Sequence, residues 1–88
     1  MKIKDGFMLR RFGDDYIAVA VGDDSENFNK LITINSVGAF IYNFLKEDKT
    51  RDEVVAAMLE EYDVSEETAS RDADIFIENL KTAGLLDD

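Results

Sequence analysis

The chain has 88 residues, with 20 Asp and Glu against 10 Lys and Arg, so its formal net charge is −10. It contains no Cys and no His, which excludes disulfides, Cys/His zinc sites, thiolate nucleophiles and imidazole bases. The acidic excess also disfavours nucleic acid and anionic membranes as partners, because both carry the same sign of charge. We therefore expect a peptide or protein partner, with no cofactor and no metal ion.

The length favours a single hydrophobic core, and we expect one domain over residues 1–88. Apolar residues make up 45% of the chain, which is typical of a folded protein rather than a disordered acidic segment. The longest apolar run, Tyr16–Val21, has six residues, far fewer than the ~20 that span a bilayer. The N-terminus also lacks the apolar segment of a signal peptide. We expect a soluble, cytoplasmic protein.

Charge and periodicity both change near the middle of the chain. Residues 1–45 carry a formal charge of −1, whereas residues 46–88 carry −9. The first half alternates apolar and polar residues as strands do, and the second half has the three-and-four spacing of helices. The predicted fold class is α+β, with a three-stranded antiparallel sheet followed by three helices in a winged-helix-like arrangement.

Turn residues separate the predicted strands. Phe7–Phe12 is followed by the turn signal Gly13–Asp15 and by a hairpin partner at Tyr16–Val21. A polar loop over residues 22–27 leads to a third strand at Phe28–Ile34. Within the second strand the larger apolar side chains share one face and the alanines the other, so the two faces are expected to pack differently.

Capping residues mark the starts of the first two helices. Asn35 or Ser36 can cap the first helix, which ends near residues 46–49. Thr50 and Glu53 form the S/T-x-x-E pattern of a capping box at the start of the second helix. The buried stripe of this second helix is predicted to be Val54, Val55, Met58, Leu59 and Tyr62.

The third helix has one apolar residue that its core stripe does not explain. Ser65 can cap this helix and Gly84 can end it. Its predicted core positions are Ala69, Ala73, Phe76, Ile77, Leu80 and Ala83. Ile75 lies about 100° from Phe76 around the helix. We predict that Ile75 is exposed beside the third strand, where an uncovered edge could accept a peptide.

The sequence gives weaker support to two other functions, DNA binding and catalysis. A winged helix suggests DNA binding, but residues 65–83 carry a local charge of −3, which opposes contact with DNA. Catalysis is disfavoured because paired acids such as Asp72 and Asp74 point in different directions on a helix. The remaining alternative is a winged-helix regulatory or dimerisation module that acts through protein contacts, and it predicts a homodimer through the same strand edge.

Several segments together resemble one family. They are Phe28-Asn29 leading into Leu31–Asn35, then Gly38–Tyr42 and Leu45, followed by Val55, Leu59, Tyr62–Val64, Asp72, Phe76, Leu80 and Gly84-Leu85. In order and spacing these residues resemble the PqqD-like proteins, the recognition elements for precursor peptides that are made ribosomally and then modified. The resemblance covers nearly the whole chain.

The resemblance implies a non-catalytic peptide chaperone. Such a protein binds the leader segment of a precursor by β-strand addition and presents it to a modifying enzyme, commonly a radical SAM enzyme. The pathway would be synthesis of pyrroloquinoline quinone or of a related peptide product. The residues implied for peptide binding are Leu31, Ile32, Thr33 and Ile34 for strand pairing, and Arg71, Asp74, Ile75 and Glu78 for side-chain contacts.

Overall fold

Strands occupy the first part of the chain and helices the second, in a computed structural model that describes residues 1–21 and 32–87. The elements are β1 (Lys2–Ile3), β2 (Phe7–Phe12), β3 (Asp15–Ala20), β4 (Ile32–Ile34), α1 (Ser36–Phe44), α2 (Arg51–Glu61), α3 (Glu66–Thr82) and β5 (Leu86–Asp87). The predicted α+β class is confirmed, with its three-stranded antiparallel sheet and three helices. Within the described stretches, no helix is both long and apolar enough to cross a bilayer.

The three-stranded sheet has the order β2-β3-β4, and all its pairs are antiparallel. Gly13 has a φ of 65° in the two-residue turn between the paired residues Phe12 and Asp15, as expected for a hairpin turn with glycine at its first central position. β4 lies at one edge of the sheet. The predicted loop 22–27 and the first four residues of the predicted third strand, 28–31, lie outside the described residues.

One face of the sheet packs against the helices. Ala18 of β3 and Ile34 of β4 are each only 1% exposed, and Leu9 and Ile32 are partly buried against the same core. The small Ala18 side chain on this face suits the close packing of α1 against β3 and β4. The larger side chains of β3, Ile17 and Val19, therefore point to the opposite face.

The helices begin at the predicted caps. The side-chain Oδ1 of Asn35 accepts a hydrogen bond from the Gly38 N–H at 2.8 Å, so Asn35 rather than Ser36 caps α1. The capping box of α2 is complete: Glu53 N–H donates to the Thr50 hydroxyl at 3.1 Å, and Thr50 N–H donates to the Glu53 carboxylate at 2.9 Å. The Ser65 hydroxyl accepts a backbone N–H from the first turn of α3. These bonds satisfy donors that every helix start leaves open.

The stripe predicted for α2 is buried at three of its five residues. Val54, Val55 and Met58 are at most 6% exposed, but Leu59 is 38% exposed. Leu59 comes four residues after Val55, which is a rotation of about 400° around the helix axis, or one full turn plus 40°. Leu59 therefore lies about 40° from Val55 and reaches the rim of the core. Tyr62, also in the predicted stripe, is partly buried, with its ring edge-on to Phe40 at 5.6 Å between centroids.

The two ends of the described chain pair with each other, and no pattern in the sequence predicts this pairing. Ile3 of β1 lies opposite Leu86 of β5, and the Ile3 N–H donates to the Leu45 carbonyl at 2.8 Å, just after α1. Gly84 has a φ of 81° and turns the chain after α3, as predicted. Strands of two residues show no periodicity, so hydrophobic patterns do not reveal them.

Candidate functional site

At the outer edge of β4, the backbone groups of Thr33 have no partner among the described residues. The Val21 N–H donates to the Gly6 carbonyl at 2.7 Å, which identifies the residues of β3 that bond to β2. Hydrogen-bonded pairs alternate along an antiparallel ladder, so the intervening residues of β3 bond to β4 instead. These intervening residues are paired with Ile32 and Ile34, whose backbone groups therefore point toward β3. The N–H and C=O of Thr33 point away from β3, where an extended peptide could pair with them.

A cavity of about 240 Å³ lies beside this edge, between the start of α1 and the middle of α3. Its lining residues are Asn35, Val37, Gly38 and Ile41 on one side and Asp72, Ile75, Phe76 and Asn79 of α3 on the other. Asn35 directly follows β4, so the cavity and the free edge adjoin. The volume is below the ~300–1,000 Å³ of small-molecule pockets and suits individual side chains of a longer ligand.

Gly38 sets the spacing at the floor of the cavity. A Cβ atom at this position would lie 2.7 Å from Cγ2 of Ile34 and closer still to the ring of Phe76. Real side chains do not make such short contacts. A glycine is therefore needed for α1 to approach β4 and α3 this closely, and that approach places Phe76 in the cavity wall.

Ile75 has the exposure that its helical position predicts. Its side chain is 55% exposed and lines both the cavity and an adjoining shallow depression that also involves Asp74, Glu78 and Asn79. An exposed apolar residue between two concave surfaces can contact an apolar group of a ligand without rearrangement of the core. Ile75 is thus the apolar centre of the candidate site.

The charged residues near Ile75 differ in their partners. Both carboxylate oxygens of Asp74 accept hydrogen bonds from the guanidinium of Arg51 on α2, at 2.8 and 2.9 Å. This pairing lowers the pKa of the Asp74 carboxyl below its ordinary value. Asp72 lines the cavity, and its carboxylate lies 3.7 Å from Nε of Arg71. The cavity therefore combines apolar walls with one carboxylate and the polar side chains of two asparagines.

The predicted site residues are distributed over these features. Thr33 presents the free edge, Ile32 and Ile34 flank it with their side chains on the core side, and Leu31 lies outside the described residues. On α3, Asp74 and Glu78 share the shallow depression with Ile75, whereas Arg71 lines neither concavity.

Sequence reasoning missed the α3 residues that line the cavity beside Ile75. Asp72, Phe76 and Asn79 are spaced by three and four residues, so they share a face of the helix. That spacing was readable in the sequence. The contribution of α1, through Gly38 and Asn35, depends on how two helices pack and could not be read in the same way.

The arrangement suits binding of an extended chain. The outward N–H and C=O of Thr33 can each form a hydrogen bond with the main chain of a peptide, and the adjoining cavity can take side chains from that peptide. The side chains that surround the cavity are apolar, amide or carboxylate groups, which can provide shape and polarity for recognition.

Two solved structures are similar to this chain. One, described as "TbiB1 in Complex with the TbiA(beta) Leader Peptide", has a TM-score of 0.77 and 28% identity, and the match covers 99% of this chain and 95% of that one. The other, "Lasso peptide synthetase B1 complexed with the leader peptide", has a TM-score of 0.72 and covers 96% of this chain and 93% of that one. At 18% identity, the second likeness shows the fold alone.

Sequence comparison with protein families gives a match over most of the chain, although no curated protein matches it. Residues 16–86 match the family described as coenzyme PQQ synthesis protein D (PqqD). The matched region begins in β3 and runs through β4 and all three helices to Leu86, so it contains both the β4 edge and the α1–α3 cavity. The chain belongs to the PqqD family.

Proposed function

We propose that this chain binds the leader segment of a ribosomally made precursor peptide and presents it to a modifying enzyme, without catalysis of its own. The observation that carries the proposal is the free edge at Thr33 directly beside the cavity at Ile75. Family membership supports it, as does the likeness, at 28% identity, to a protein solved with a leader peptide.

The proposed mode of binding is addition of a peptide strand to β4. Main-chain hydrogen bonds supply affinity along the predicted pairing segment Leu31–Ile34, in which the outward N–H and C=O of Thr33 are the described groups that can bond to the peptide. Peptide side chains on the helix side enter the cavity and contact Ile75. Arg71, Asp74 and Glu78 are the proposed polar contacts, and among them Asp74 would have to share its carboxylate with Arg51.

The sheet has a second edge, at β2, which provides a comparison. Hydrogen-bonded pairs also alternate along the β2–β3 ladder, so the backbone groups of Arg11 point away from β3 at this edge. The β2 edge is six residues long, but β3 separates it from β4 and from the cavity that adjoins β4. We therefore expect the peptide to use the β4 edge, where strand pairing and side-chain contacts occur together.

The first test replaces Thr33 with Pro, which removes the outward N–H. We expect at least a tenfold loss of affinity, about 1.4 kcal/mol, because a main-chain bond is lost and the ring obstructs the strand. Affinity is measured by fluorescence anisotropy with a labelled leader peptide encoded beside the gene of this chain. Ile32 is unsuitable for this test because its N–H points toward β3.

Two variants serve as controls for Thr33→Pro. Thr33→Val alters the exposed side chain but keeps the N–H, and Arg11→Pro removes an outward N–H at the β2 edge. Both are expected to bind the peptide with near wild-type affinity, and circular dichroism checks that all three variants fold. Equal losses for Thr33→Pro and Arg11→Pro, or no binding by the wild type at high micromolar concentration, would contradict the proposal.

The proposed partner enzyme is a radical SAM enzyme or another enzyme that modifies the precursor peptide, in a cytoplasmic pathway that leads to pyrroloquinoline quinone or a related product. The isolated chain is expected to produce no turnover of the precursor, whereas adding it to the enzyme should raise the rate of modification.

A homodimer through β4 is the competing use of the same edge. In that case sedimentation would show self-association, and the leader peptide would dissociate the dimer.

A further inference from the structure

The cavity between α1 and α3 has a negative charge at one place, the carboxylate of Asp72. Among the described residues that line the cavity, Asp72 is the only charged one. The adjoining elements β4 and α1 have no charged residue within Ile32–Ile34 and Ser36–Phe44. The start of α1 adds a partial positive charge of about half a unit, which is smaller than the charge of one carboxylate. The sign of the charge at the cavity is therefore negative.

The carboxylate of Asp72 has little compensation from its own chain. Within the described residues it forms one ion pair, with Nε of Arg71 at 3.7 Å, which is too long for a hydrogen bond. The other cation of α3, Lys81, comes nine residues after Asp72, a rotation of about 900° that places it on the opposite side of the helix. The Asp72 side chain is 44% exposed, so water solvates it. A ligand that fills the cavity removes this water, which costs free energy unless the ligand supplies a donor.

The adjoining shallow depression has the same sign of charge. Its lining includes the carboxylates of Asp74 and Glu78. Asp74 is compensated by the two hydrogen bonds from Arg51, whereas Glu78 has no ion pair within the described chain. The described residues that line the two concave surfaces thus include three carboxylates and no cation. An acidic side chain would be repelled here, and a basic one attracted.

The apolar wall of the cavity lies at a suitable distance from this carboxylate. Ile75 and Phe76 follow Asp72 by three and four residues on α3, so they lie about 4.5 and 6 Å further along the helix axis. This interval is similar to the length of the four-carbon stem of lysine. Lysine and arginine commonly lay their stems on apolar surface while the charged group stays in a polar environment. A basic side chain can therefore contact both apolar residues and still reach Asp72.

The strand register identifies the peptide residue that faces the cavity. A peptide residue opposite Thr33 has its side chain on the same face as that of Thr33, away from the helices. The neighbouring peptide residue lies opposite Ile34, whose side chain is buried on the helix side, so its own side chain also points toward the helices. Asn35, the next residue of this chain, lines the cavity. The peptide residue opposite Ile34 is therefore the one that can enter the cavity.

We propose that the cavity binds a lysine or arginine side chain of the leader peptide, from the residue opposite Ile34, with its stem on Ile75 and Phe76 and its cationic group at Asp72. This inference rests on the proposed function, because it names the class of leader that the same site selects. A charge-assisted hydrogen bond to Asp72 replaces the water that the side chain displaces. An apolar residue at this position leaves the carboxylate unpaired, and an acidic residue is repelled.

The variant Asp72→Asn tests this inference with the leader peptide encoded beside the gene of this chain. The substitution keeps the size of the side chain and removes its charge, so we expect at least tenfold weaker binding by fluorescence anisotropy and a weaker dependence of affinity on salt. Asp63→Asn makes the same change at an exposed residue that lines neither concave surface, and it should bind as the wild type does. Circular dichroism checks that both variants fold.

Variants of the leader peptide complete a double-mutant cycle. Each lysine and arginine of the leader is replaced in turn by methionine, which keeps an unbranched apolar side chain without the charge. One of these replacements should weaken binding to the wild type at least tenfold and have little effect on binding to Asp72→Asn, because both changes remove the same contact. Wild-type affinity in Asp72→Asn, or additive losses for every replacement in the leader, would overturn the inference.

The outcomes distinguish this inference from the proposed function. If Thr33→Pro weakens leader binding while Asp72→Asn binds as tightly as the wild type, the peptide uses the β4 edge but the cavity does not select a basic residue. The inference then fails and the proposed function stands. If the wild type does not bind the leader peptide at high micromolar concentration, the proposed function fails and the inference fails with it.

Discussion

Gly38 lies where α1 packs tightly against both β4 and α3. The space that a side chain would need there is occupied by Ile34 of β4 and by the ring of Phe76. Ile34 is only 1% exposed, so it has little room to move. Phe76 borders the cavity, and displacement of its ring would change the shape of the candidate site. One hydrogen atom in place of a methyl group therefore affects both stability and binding.

Gly38→Ala should destabilise the protein despite improving helix propensity. Overpacking costs about 1–3 kcal/mol, whereas replacing Gly with Ala inside a helix gains about 1 kcal/mol, so we expect a net loss near 1 kcal/mol in the free energy of unfolding. Urea denaturation measures the change. Asn43→Ala, at an exposed position of α1, is the control and should not destabilise. A gain in stability for Gly38→Ala would show that the core opens freely at this point.

At the scale of secondary-structure elements, α2 and α3 are joined by the two hydrogen bonds between Arg51 and Asp74. The pairing lowers the pKa of Asp74 from an ordinary value of 3.8. A lowered folded-state pKa means that the ionised carboxylate stabilises the fold at neutral pH, and that this contribution is lost as the pH falls through the folded-state value.

Arg51→Gln is expected to flatten the acid dependence of stability. The wild type should lose more free energy of unfolding than the variant between about pH 5 and pH 2, where Asp74 gains its proton. Chemical denaturation at a series of pH values compares them. Asp74→Asn removes the titrating group and should give a similarly flattened curve. An unchanged curve in both variants would mean that solvent screens the pair completely.

The elements that the sequence predicted well are those with local chemical signals. The helix starts at Asn35, Thr50 and Ser65 follow from side chains that bond within one turn, and the exposure of Ile75 follows from its angle on the helix. The pairing of β1 with β5 spans the whole described chain and has no local signal. The cavity at Gly38 likewise depends on the packing of distant elements, so only its α3 side was open to prediction.

At the scale of the whole molecule, the charge of −10 opposes compaction through self-repulsion. Most of it lies in residues 46–88, which include α2 and α3. Several of the ion pairs in the described chain join residues close in sequence on exposed surfaces, and such pairs contribute little to stability. Repulsion is therefore expected to outweigh attraction in the overall response to salt.

Salt should stabilise this protein at neutral pH. Raising the ionic strength from 0.01 to 0.15 M shortens the Debye length from about 30 to about 8 Å, which screens repulsion between like charges. The melting temperature in NaCl should rise over this range at pH 7. The same titration at pH 4, where part of the carboxylates are protonated, is expected to give a smaller rise. A melting temperature that falls with salt at pH 7 would contradict this account.

The pairing of β1 with β5 also decides where anything attached to this protein would project. Residues 2 and 87 lie side by side, next to the end of α1, whereas the cavity lies at the start of that helix. The nine residues of α1 span about 13 Å at 1.5 Å per residue. A fluorophore, an affinity tag or a fused enzyme at either end would therefore extend from the same place, at a distance from the cavity, and would leave the candidate site accessible.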